Sequence, residues 1–219
     1  MSTQAVIPVK PLDRALRRLS GVLDGPSRRA LQAAMLTDLL VTCAATRQIA
    51  RTIVVTNDAS AAALARRLGA DVIADHDPPL GINAAVARGL QGLVGPAIVL
   101  MADLALARPH DLDMVISEAL PSPGATLVPS RDGTGTNVML LDPPGILEPH
   151  LGPGSLRLHL QQAQRLDVAV RVLELAALSL DVDTPEDLAL LCRSDVPDGE
   201  TLRECRALGV VSRASAHAR

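Results

Sequence analysis

Short apolar runs alternate with stretches of helical periodicity over the first part of the chain. Continuous β-branched runs predict strands at 5–9, 52–56, 71–74 and 96–103. Apolar residues spaced for one helix face predict helices at 28–46 (capped by Ser27), 59–69, 82–93 and 109–120. This alternation is typical of a mostly parallel sheet covered by helices on both faces.

The strict alternation loosens after about residue 120. Strands are predicted at 125–130, 136–142, 168–175 and 178–182, and helices at 155–167 and 185–194. One three-layer α/β/α domain with a mostly parallel, mixed sheet accounts for residues 1–210. Residues 211–219 are predicted to be a disordered tail.

The composition limits the classes of function. Hydrophobic residues make up 48% of the chain, yet Phe, Tyr and Trp are absent, so no aromatic side chain can stack on bases. The formal net charge of −3 disfavours a protein that coats polynucleotides or anionic membranes. We therefore expect neither a nucleic-acid polymer nor a membrane as partner.

The cysteines and the first residues bear on the compartment. Cys43, Cys192 and Cys205 lie far apart and are odd in number, which favours free thiols in a reducing compartment. The first ten residues have no apolar signal core, and no apolar run approaches the roughly 20 residues of a membrane span. We expect a soluble, cytoplasmic protein.

Polar residues follow the predicted strands, where ligands bind in open α/β sheets. These residues are Lys10, Asn57, Asp58, Asp103, Asp181 and Asp183. Basic residues are concentrated just after the first strand, at Lys10, Arg14, Arg17 and Arg18. Their charges suit a polyphosphate, although a solvated basic helix face has the same pattern. The spacing is not that of a P-loop.

Two carboxylates stand at the ends of predicted strands. Asp103 closes the run "PAIVLMAD", and Asp181 opens "DVDTPED". Carboxylates at neighbouring strand ends can share one Mg²⁺, with phosphate oxygens completing its shell. A helix start, with Asp183 or Thr184 as the N-cap, explains "DTPED" equally well but leaves Asp181 unexplained.

Two segments place glycine beside hydroxyl groups. These are "RDGTGTN" at 131–137 and "LGPGSLRLH" at 151–159, where Ser155 is a candidate cap of the following helix. Such segments suit the binding of anions through backbone N–H groups, and two ordinary turns are the alternative. His76, His110, His150 and His217 have no ligand spacing, and we interpret them as structural or surface residues.

Six blocks in order resemble the CofC/FbiD guanylyltransferases, over about residues 5–195. They are "IPVKPLDRALRRL", "GINAA", "ADLALARP", "DGTGTN", "GPGSLRLH" and "DVDTPEDL". The resemblance implies a Rossmann-like GT-A nucleotidyltransferase fold. It also implies coupling of GTP to 2-phospholactate, phosphoenolpyruvate or 3-phosphoglycerate, with release of pyrophosphate, in coenzyme F-420 biosynthesis. The next transferase of that pathway is a candidate partner, and the oligomeric state, a dimer included, stays open.

Two alternatives keep the same fold. One is a molybdenum-cofactor type cytidylyl- or guanylyltransferase, and the other is a non-catalytic nucleotide-binding relic. Retention of Asp103 and Asp181 disfavours the relic. The hydroxyl-rich segment at 131–137 disfavours a pterin substrate.

The resemblance assigns roles residue by residue. Asp103 and Asp181 match the Mg²⁺ ligands, and Thr136, Gly152 and Ser155 match the positions that hold the acid. The residues expected at the nucleotide are Lys10, Arg14, Arg18, Asn83 and Asp103, of which Lys10, Arg18 and Asp103 are the catalytic candidates.

Three positions depart from the family pattern. Leu16 stands where the family often has Lys, Ala105 replaces a Pro, and Leu151 replaces an aromatic residue. Because Leu151 is expected near the acid, it bears on which acid fits.

Overall fold

A mixed sheet forms the centre of the computed structural model, which describes residues 2–194 and 199–210. Its strands in this part of the chain are β1 Thr3–Pro8, β2 Ile49–Val55, β3 Asp71–Ile73, β4 Ala97–Leu100, β5 Gly124–Pro129, β6 Thr136–Asp142 and β7 Ala169–Val172. The spatial order is β3-β2-β1-β4-β6-β5-β7. Among these strands only β6 runs against its neighbours, so the predicted mostly parallel, mixed sheet is confirmed.

Helices connect most of the strands. They are α1 Gly25–Ala45, α2 Ala59–Arg67, α3 Ile82–Leu90, α4 Pro109–Ser117, α5 Ser155–Leu166, α6 Ala176–Ser179, α7 Pro185–Arg193 and α8 Glu200–Ala207. Two short 3-10 turns, Leu12–Arg14 and Arg17–Leu19, lie between β1 and α1.

The two faces of the sheet bury separate apolar clusters. Ala5 and Ile7 of β1 point to one face and pack with residues of α1, α2 and α4. Val6 points to the opposite face and packs with residues of α3 and α5. Because alternate strand residues face opposite sides, one continuous apolar strand serves both clusters. The predicted three-layer α/β/α architecture follows from this arrangement.

A third apolar cluster supports the loop after β1. Leu16 and Leu19 of this loop pack with residues of α1, α7 and α8, including Met35, Leu191 and Cys205. Sequence patterning did not predict α8. Its first N–H groups, those of Glu200 and Thr201, donate to the carboxylate of Asp38 in α1, at 2.8 Å each.

Two local predictions were wrong. The cap of α1 is Asp24, whose carboxylate accepts from the backbone N–H of Ser27 at 2.8 Å. The segment 178–182 is not a strand: it begins inside α6 and continues as extended chain that does not pair with any strand of the sheet. Leu178, Leu180 and Val182 are all buried, so their alternation imitates a strand although the segment has no place in the sheet.

The chain ends lie partly outside the described residues. The predicted tail 211–219, with His217, is in that part of the sequence. Within the described ranges, none of the helices combines the length and apolar character needed to cross a bilayer.

Candidate functional site

One cleft opens at the edge of the sheet where β1 and β4 end. Because β6 is antiparallel to β4, with Leu100 opposite Val138, the start of β6 lies at the same edge. The cleft has a basic part of about 260 Å³, lined by the loop after β1, and a larger part of about 460 Å³, lined by the loop before β6 and the start of α5. The two parts share Lys10, Arg18, Ile82, Met101, Asp103 and Asp183.

The two acidic segments meet between these parts. Asp103 lies in the turn after β4, and Asp181 lies in the extended chain after α6. The backbone N–H of Val182 donates to the carbonyl oxygen of Asp103 at 3.2 Å. Asn137 of β6 donates through Nδ2 to Oδ1 of Asp181 at 3.1 Å and to the carbonyl oxygens of Leu178 and Ser179. A side chain therefore replaces the strand pairing that the sequence predicted for 178–182.

The carboxylate of Asp103 is electrostatically strained. Burial, together with the charges of Asp181 and Asp183, raises its pKa from 3.8 to about 7, and Lys10 only partly offsets this. Its Oδ1 atom is buried and has no hydrogen-bond partner among the residues that the structure describes. Burial also raises the pKa of Asp181, against the opposing hydrogen bond from Asn137. Such a pair of carboxylates is stabilised when a cation binds beside it.

The carboxylates between the two parts of the cleft fit a Mg²⁺ ion that takes its remaining ligands from the substrate and from water. In the described residues, no group of three or more His, Cys, Asp or Glu side chains is arranged to hold a metal. Mg²⁺ in nucleotide sites typically takes one or two carboxylates, with waters and phosphate oxygens as its other ligands. The unpartnered oxygen of Asp103 and the adjacent Asp181 match that smaller requirement.

The basic loop is held by a residue from the next strand end. Asp58 caps α2 through Oδ1, and its Oδ2 accepts from the backbone N–H of Leu12 at 2.9 Å. Asn57 donates to the carbonyl oxygen of His76 and does not line the cleft in either part. Asp58 and Asn57 therefore hold neighbouring loops in place and do not line the cleft, whereas Lys10 does.

Four basic residues of the loop line the cleft: Lys10, Arg14, Arg17 and Arg18. Arg18 Nη1 lies 3.4 Å from Asp183 Oδ2, with both side chains substantially exposed. Leu16, in contrast, is 5% exposed and packs in the third apolar cluster, with a left-handed backbone at φ 51°. Residue 16 therefore makes a core contact and adds no positive charge to the cleft.

The loop before β6 is stabilised by its own polar groups. Asp132 Oδ1 accepts from the Ser130 hydroxyl and from the backbone N–H and hydroxyl of Thr134. These hydrogen bonds, that from Ser130 first, lower the pKa of Asp132 to about 2. A Cβ atom on Gly135 would lie 2.7 Å from Ser130 Oγ. At Gly135, therefore, the group that approaches the backbone closely belongs to the loop itself.

Thr136, Gly152 and Ser155 come together in the larger part of the cleft. Gly152 and Gly154 have φ angles of 125° and 72°, which favour glycine. The cap of α5 is Gly154, so the prediction of Ser155 as a cap was wrong. Ser155 is the first helical residue, and its buried Oγ has no hydrogen-bond partner within residues 2–194 and 199–210. The carbonyl oxygen of Thr134 accepts from the N–H of Leu156 and ties the two loops together.

Asn83 does not line the cleft but contacts a residue that does. Its Oδ1 accepts from the backbone N–H of Leu151 at 2.7 Å, and its Nδ2 donates to the Leu151 carbonyl oxygen at 3.3 Å. It lines neither part of the cleft, whereas Leu151 lines the larger part. Its position near the nucleotide stays a prediction.

The sequence patterns assigned no role to several residues that line the cleft or lie directly behind its wall. Arg131 lines the larger part and pairs with Asp187 of α7 at 2.8 Å. Asn137 and His159 lie inside the quoted blocks "DGTGTN" and "GPGSLRLH". Their place in those blocks was the only sequence feature that pointed to a function. The hydrogen-bond partner of each residue is distant in the sequence, so the contacts themselves could not be predicted.

Comparison with known proteins identifies relatives along most of the chain. The model of the family described as "Guanylyl transferase CofC like" matches residues 3–215. A phosphoenolpyruvate guanylyltransferase of Rubrobacter xylanophilus is 40% identical over 195 residues, covering 87% of this chain and 94% of the relative. A phosphoenolpyruvate guanylyltransferase of Conexibacter woesei is 36% identical over 197 residues, covering 87% of each chain.

Solved structures share the fold. A structure from Desulfovibrio desulfuricans G20, assigned to the nucleotide-diphospho-sugar transferases, superposes with a TM-score of 0.77 at 17% identity and covers 98% of this chain and 99% of its own. A nucleotidyl transferase from Methanothermobacter superposes with a TM-score of 0.60 at 15% identity, covering 85% and 94%. At these identities the likeness concerns the fold alone.

Proposed function

Because the chain belongs to the family of CofC-like guanylyl transferases, we propose that it transfers the guanylyl group of GTP to phosphoenolpyruvate. The phosphoenolpyruvate guanylyltransferases among its relatives support this acid substrate over 2-phospholactate and 3-phosphoglycerate. One observation carries the proposal: the basic loop after β1, the carboxylates of Asp103 and Asp181, and the buried hydroxyl groups of Thr136 and Ser155 all line the same cleft. The product would serve coenzyme F-420 biosynthesis, as the family resemblance implies.

The reaction needs no activated side-chain nucleophile. A phosphate oxygen of phosphoenolpyruvate, already ionised at neutral pH, attacks the α-phosphorus of GTP. The bond from that phosphorus to the bridging oxygen breaks, and pyrophosphate leaves with the electron pair. Positioning and charge neutralisation carry such a transfer, which agrees with a cleft rich in charges.

The basic part of the cleft would bind the triphosphate. Lys10, Arg14 and Arg18 line it, and their cations would neutralise the charge that moves onto pyrophosphate as it leaves. Arg18 would exchange its exposed contact with Asp183 for a phosphate oxygen. An exposed ion pair contributes little, roughly 0–1 kcal/mol, so this exchange costs little.

The larger part would bind the acid. Thr136 and Ser155 offer buried hydroxyl groups there, and Gly152 leaves the backbone open to close approach. Ser155 Oγ has no hydrogen-bond partner in the described part of the chain. A buried hydroxyl without a partner is costly, so a ligand oxygen at this point would recover a lost hydrogen bond.

Asp103 and Asp181 are the residues that would hold Mg²⁺ between the two parts. Bound there, Mg²⁺ would supply Lewis-acid polarisation of phosphate oxygens. Asn137 keeps the Asp181 carboxylate oriented, and Val182 fixes the distance between the two acidic segments. The chain's own part in the reaction is to align two phosphate groups across this pair.

Pyrophosphate release tests the proposal. Purified protein with GTP and Mg²⁺ is assayed with each of the three acids in separate reactions, and CTP replaces GTP in a matched set. Release with GTP and phosphoenolpyruvate is expected. Release with only one of the other acids would assign that acid as the substrate, and release only with CTP would identify a cytidylyltransferase instead. If folded protein releases no pyrophosphate in any of these reactions, the proposal is overturned, and the same assay with molybdopterin as acceptor then separates a molybdenum-cofactor type enzyme from a non-catalytic relic.

A further inference from the structure

His159 of α5 lies behind the wall of the larger cleft part and is fully buried. Its Nδ1 atom lies 3.0 Å from Thr136 Oγ1. Its Nε2 atom lies 2.9 Å from the backbone nitrogen of His150. Both ring nitrogens are therefore engaged, one by a side chain of the cleft and the other by the loop before α5.

The backbone contact fixes the tautomer of the ring. A backbone N–H can only donate, so Nε2 of His159 must accept and carries no proton. Burial, with a smaller effect of the nearby His150, lowers the pKa of His159 to about 4, which keeps the ring neutral near pH 7. The single ring proton then sits on Nδ1, and Nδ1 donates to Thr136 Oγ1.

The tautomer in turn fixes what Thr136 can do. Its hydroxyl oxygen accepts from His159, so its own proton must be donated elsewhere. Thr136 is 4% exposed and lines the cleft, and in the described part of the chain its hydroxyl makes no other hydrogen bond. The free proton is thus available to a ligand oxygen in the cleft.

The geometry of α5 places His159 on the same helix face as Ser155, whose hydroxyl group also lines the cleft. Ser155 and His159 are four residues apart in α5, and such residues share one face of a helix. One face of α5 therefore supplies both a hydroxyl to the cleft and the imidazole that orients the neighbouring hydroxyl of Thr136.

We propose that His159 is a positioning residue that makes Thr136 an obligate hydrogen-bond donor to an ionised oxygen of the acid substrate. The inference rests on the proposed function for the identity of the ligand. It adds a specificity rule: at this position the cleft favours a group that only accepts hydrogen bonds, such as a carboxylate.

Two substitutions separate the two contacts of the ring. The amide of His159→Asn reaches the place of Nδ1 and can still donate to Thr136, whereas the amide of His159→Gln reaches the place of Nε2 and can only serve His150. We expect His159→Gln to raise the KM for phosphoenolpyruvate by about 10-fold or more, the usual effect of losing a hydrogen bond to a charged group. His159→Asn should stay within about threefold of the unmodified protein.

Further variants check that the effect passes through the hydroxyl. Thr136→Val should match His159→Gln, Thr136→Ser should retain binding, and the double variant Thr136→Val with His159→Gln should lose no more than either alone. The KM for GTP should change by less than about twofold throughout, because the nucleotide lies in the other part of the cleft. Equal effects of Asn and Gln at position 159, or a larger effect on GTP, would overturn the proposal.

A spectroscopic measurement works without turnover. Nitrogen NMR of protein labelled in its histidines should show the Nδ1–H tautomer for His159 at pH 7, assigned by its loss in His159→Asn. An Nε2–H tautomer would overturn the proposal even in an active enzyme. If the unmodified protein releases no pyrophosphate with any acid, the proposed function fails, and calorimetric titration with phosphoenolpyruvate of the same variants then decides the role of His159.

Discussion

The backbone N–H of Val182 donates a 3.2 Å hydrogen bond to the carbonyl oxygen of Asp103. This contact joins the turn after β4 to the extended chain after α6, which are almost eighty residues apart in the sequence. It brings Asp103 and Asp181 close enough for the charge of one to raise the pKa of the other. Both residues are half-buried, and a pair of like charges removed even partly from water is costly unless something compensates it.

Asp103→Asn should abolish most turnover while preserving the fold. The change removes a half-buried charge that repels Asp181 and Asp183, so the free energy of unfolding should stay the same or rise. Pyrophosphate release should fall by about 10² to 10³-fold, as when a main electrostatic group of an active site is lost. The exposed Asp167→Asn at the far end of α5 is the matched control. Unchanged turnover in Asp103→Asn would remove Asp103 from the site.

Asn137→Ala should lower both stability and activity. The change leaves Asp181 Oδ1 and the carbonyl oxygens of Leu178 and Ser179 without their donor. Urea unfolding should show a loss of about 1–3 kcal/mol, the usual cost of leaving buried polar groups unpaired. Asn57→Ala, which removes one exposed hydrogen bond to His76, should cost clearly less. Equal losses in the two variants would contradict the assigned role of Asn137.

Asn83→Ala separates two roles of that residue. The family resemblance implies that Asn83 lies near the guanosine, whereas in the structure both polar atoms of its amide bond to the backbone of Leu151. We expect the KM for the acid to rise more than the KM for GTP, because Leu151 lines the larger part of the cleft. Steady-state kinetics with each substrate varied in turn measure the two constants. A rise confined to GTP would instead support a direct contact with the nucleotide.

Stability should decrease in mildly acidic solution because of His159. Its pKa is lowered from 6.5 to about 4, chiefly by burial, so folding favours the neutral ring. Its contribution to stability is complete above pH 6.5 and is lost as the pH falls from 6.5 towards 4. The slope within this window approaches about 1.4 kcal/mol per pH unit. Urea unfolding of the unmodified protein and of His159→Asn should show a shallower pH dependence for the variant, and parallel curves would contradict this assignment.

The sequence by itself determined the sheet and the chemical character of the cleft. Apolar β-branched runs and helical periodicity located the seven described strands and most helices, because burial on both faces of a sheet imposes those patterns. The acidic residues after the predicted strands and the glycine-hydroxyl segments were visible as local signals. The false strand at 178–182 shows the limit of such signals, since buried alternation occurs wherever extended chain packs on a core.

Only the tertiary structure decided how the site is held together. The contacts of Asn137 with Asp181, of Asn83 with Leu151 and of His159 with Thr136 join residues 44, 68 and 23 positions apart. No local periodicity encodes such pairs, because each depends on the antiparallel course of β6 and on the packing of α5 against the sheet. The sequence determined which groups are present, and the fold decided which donors, acceptors and charges meet.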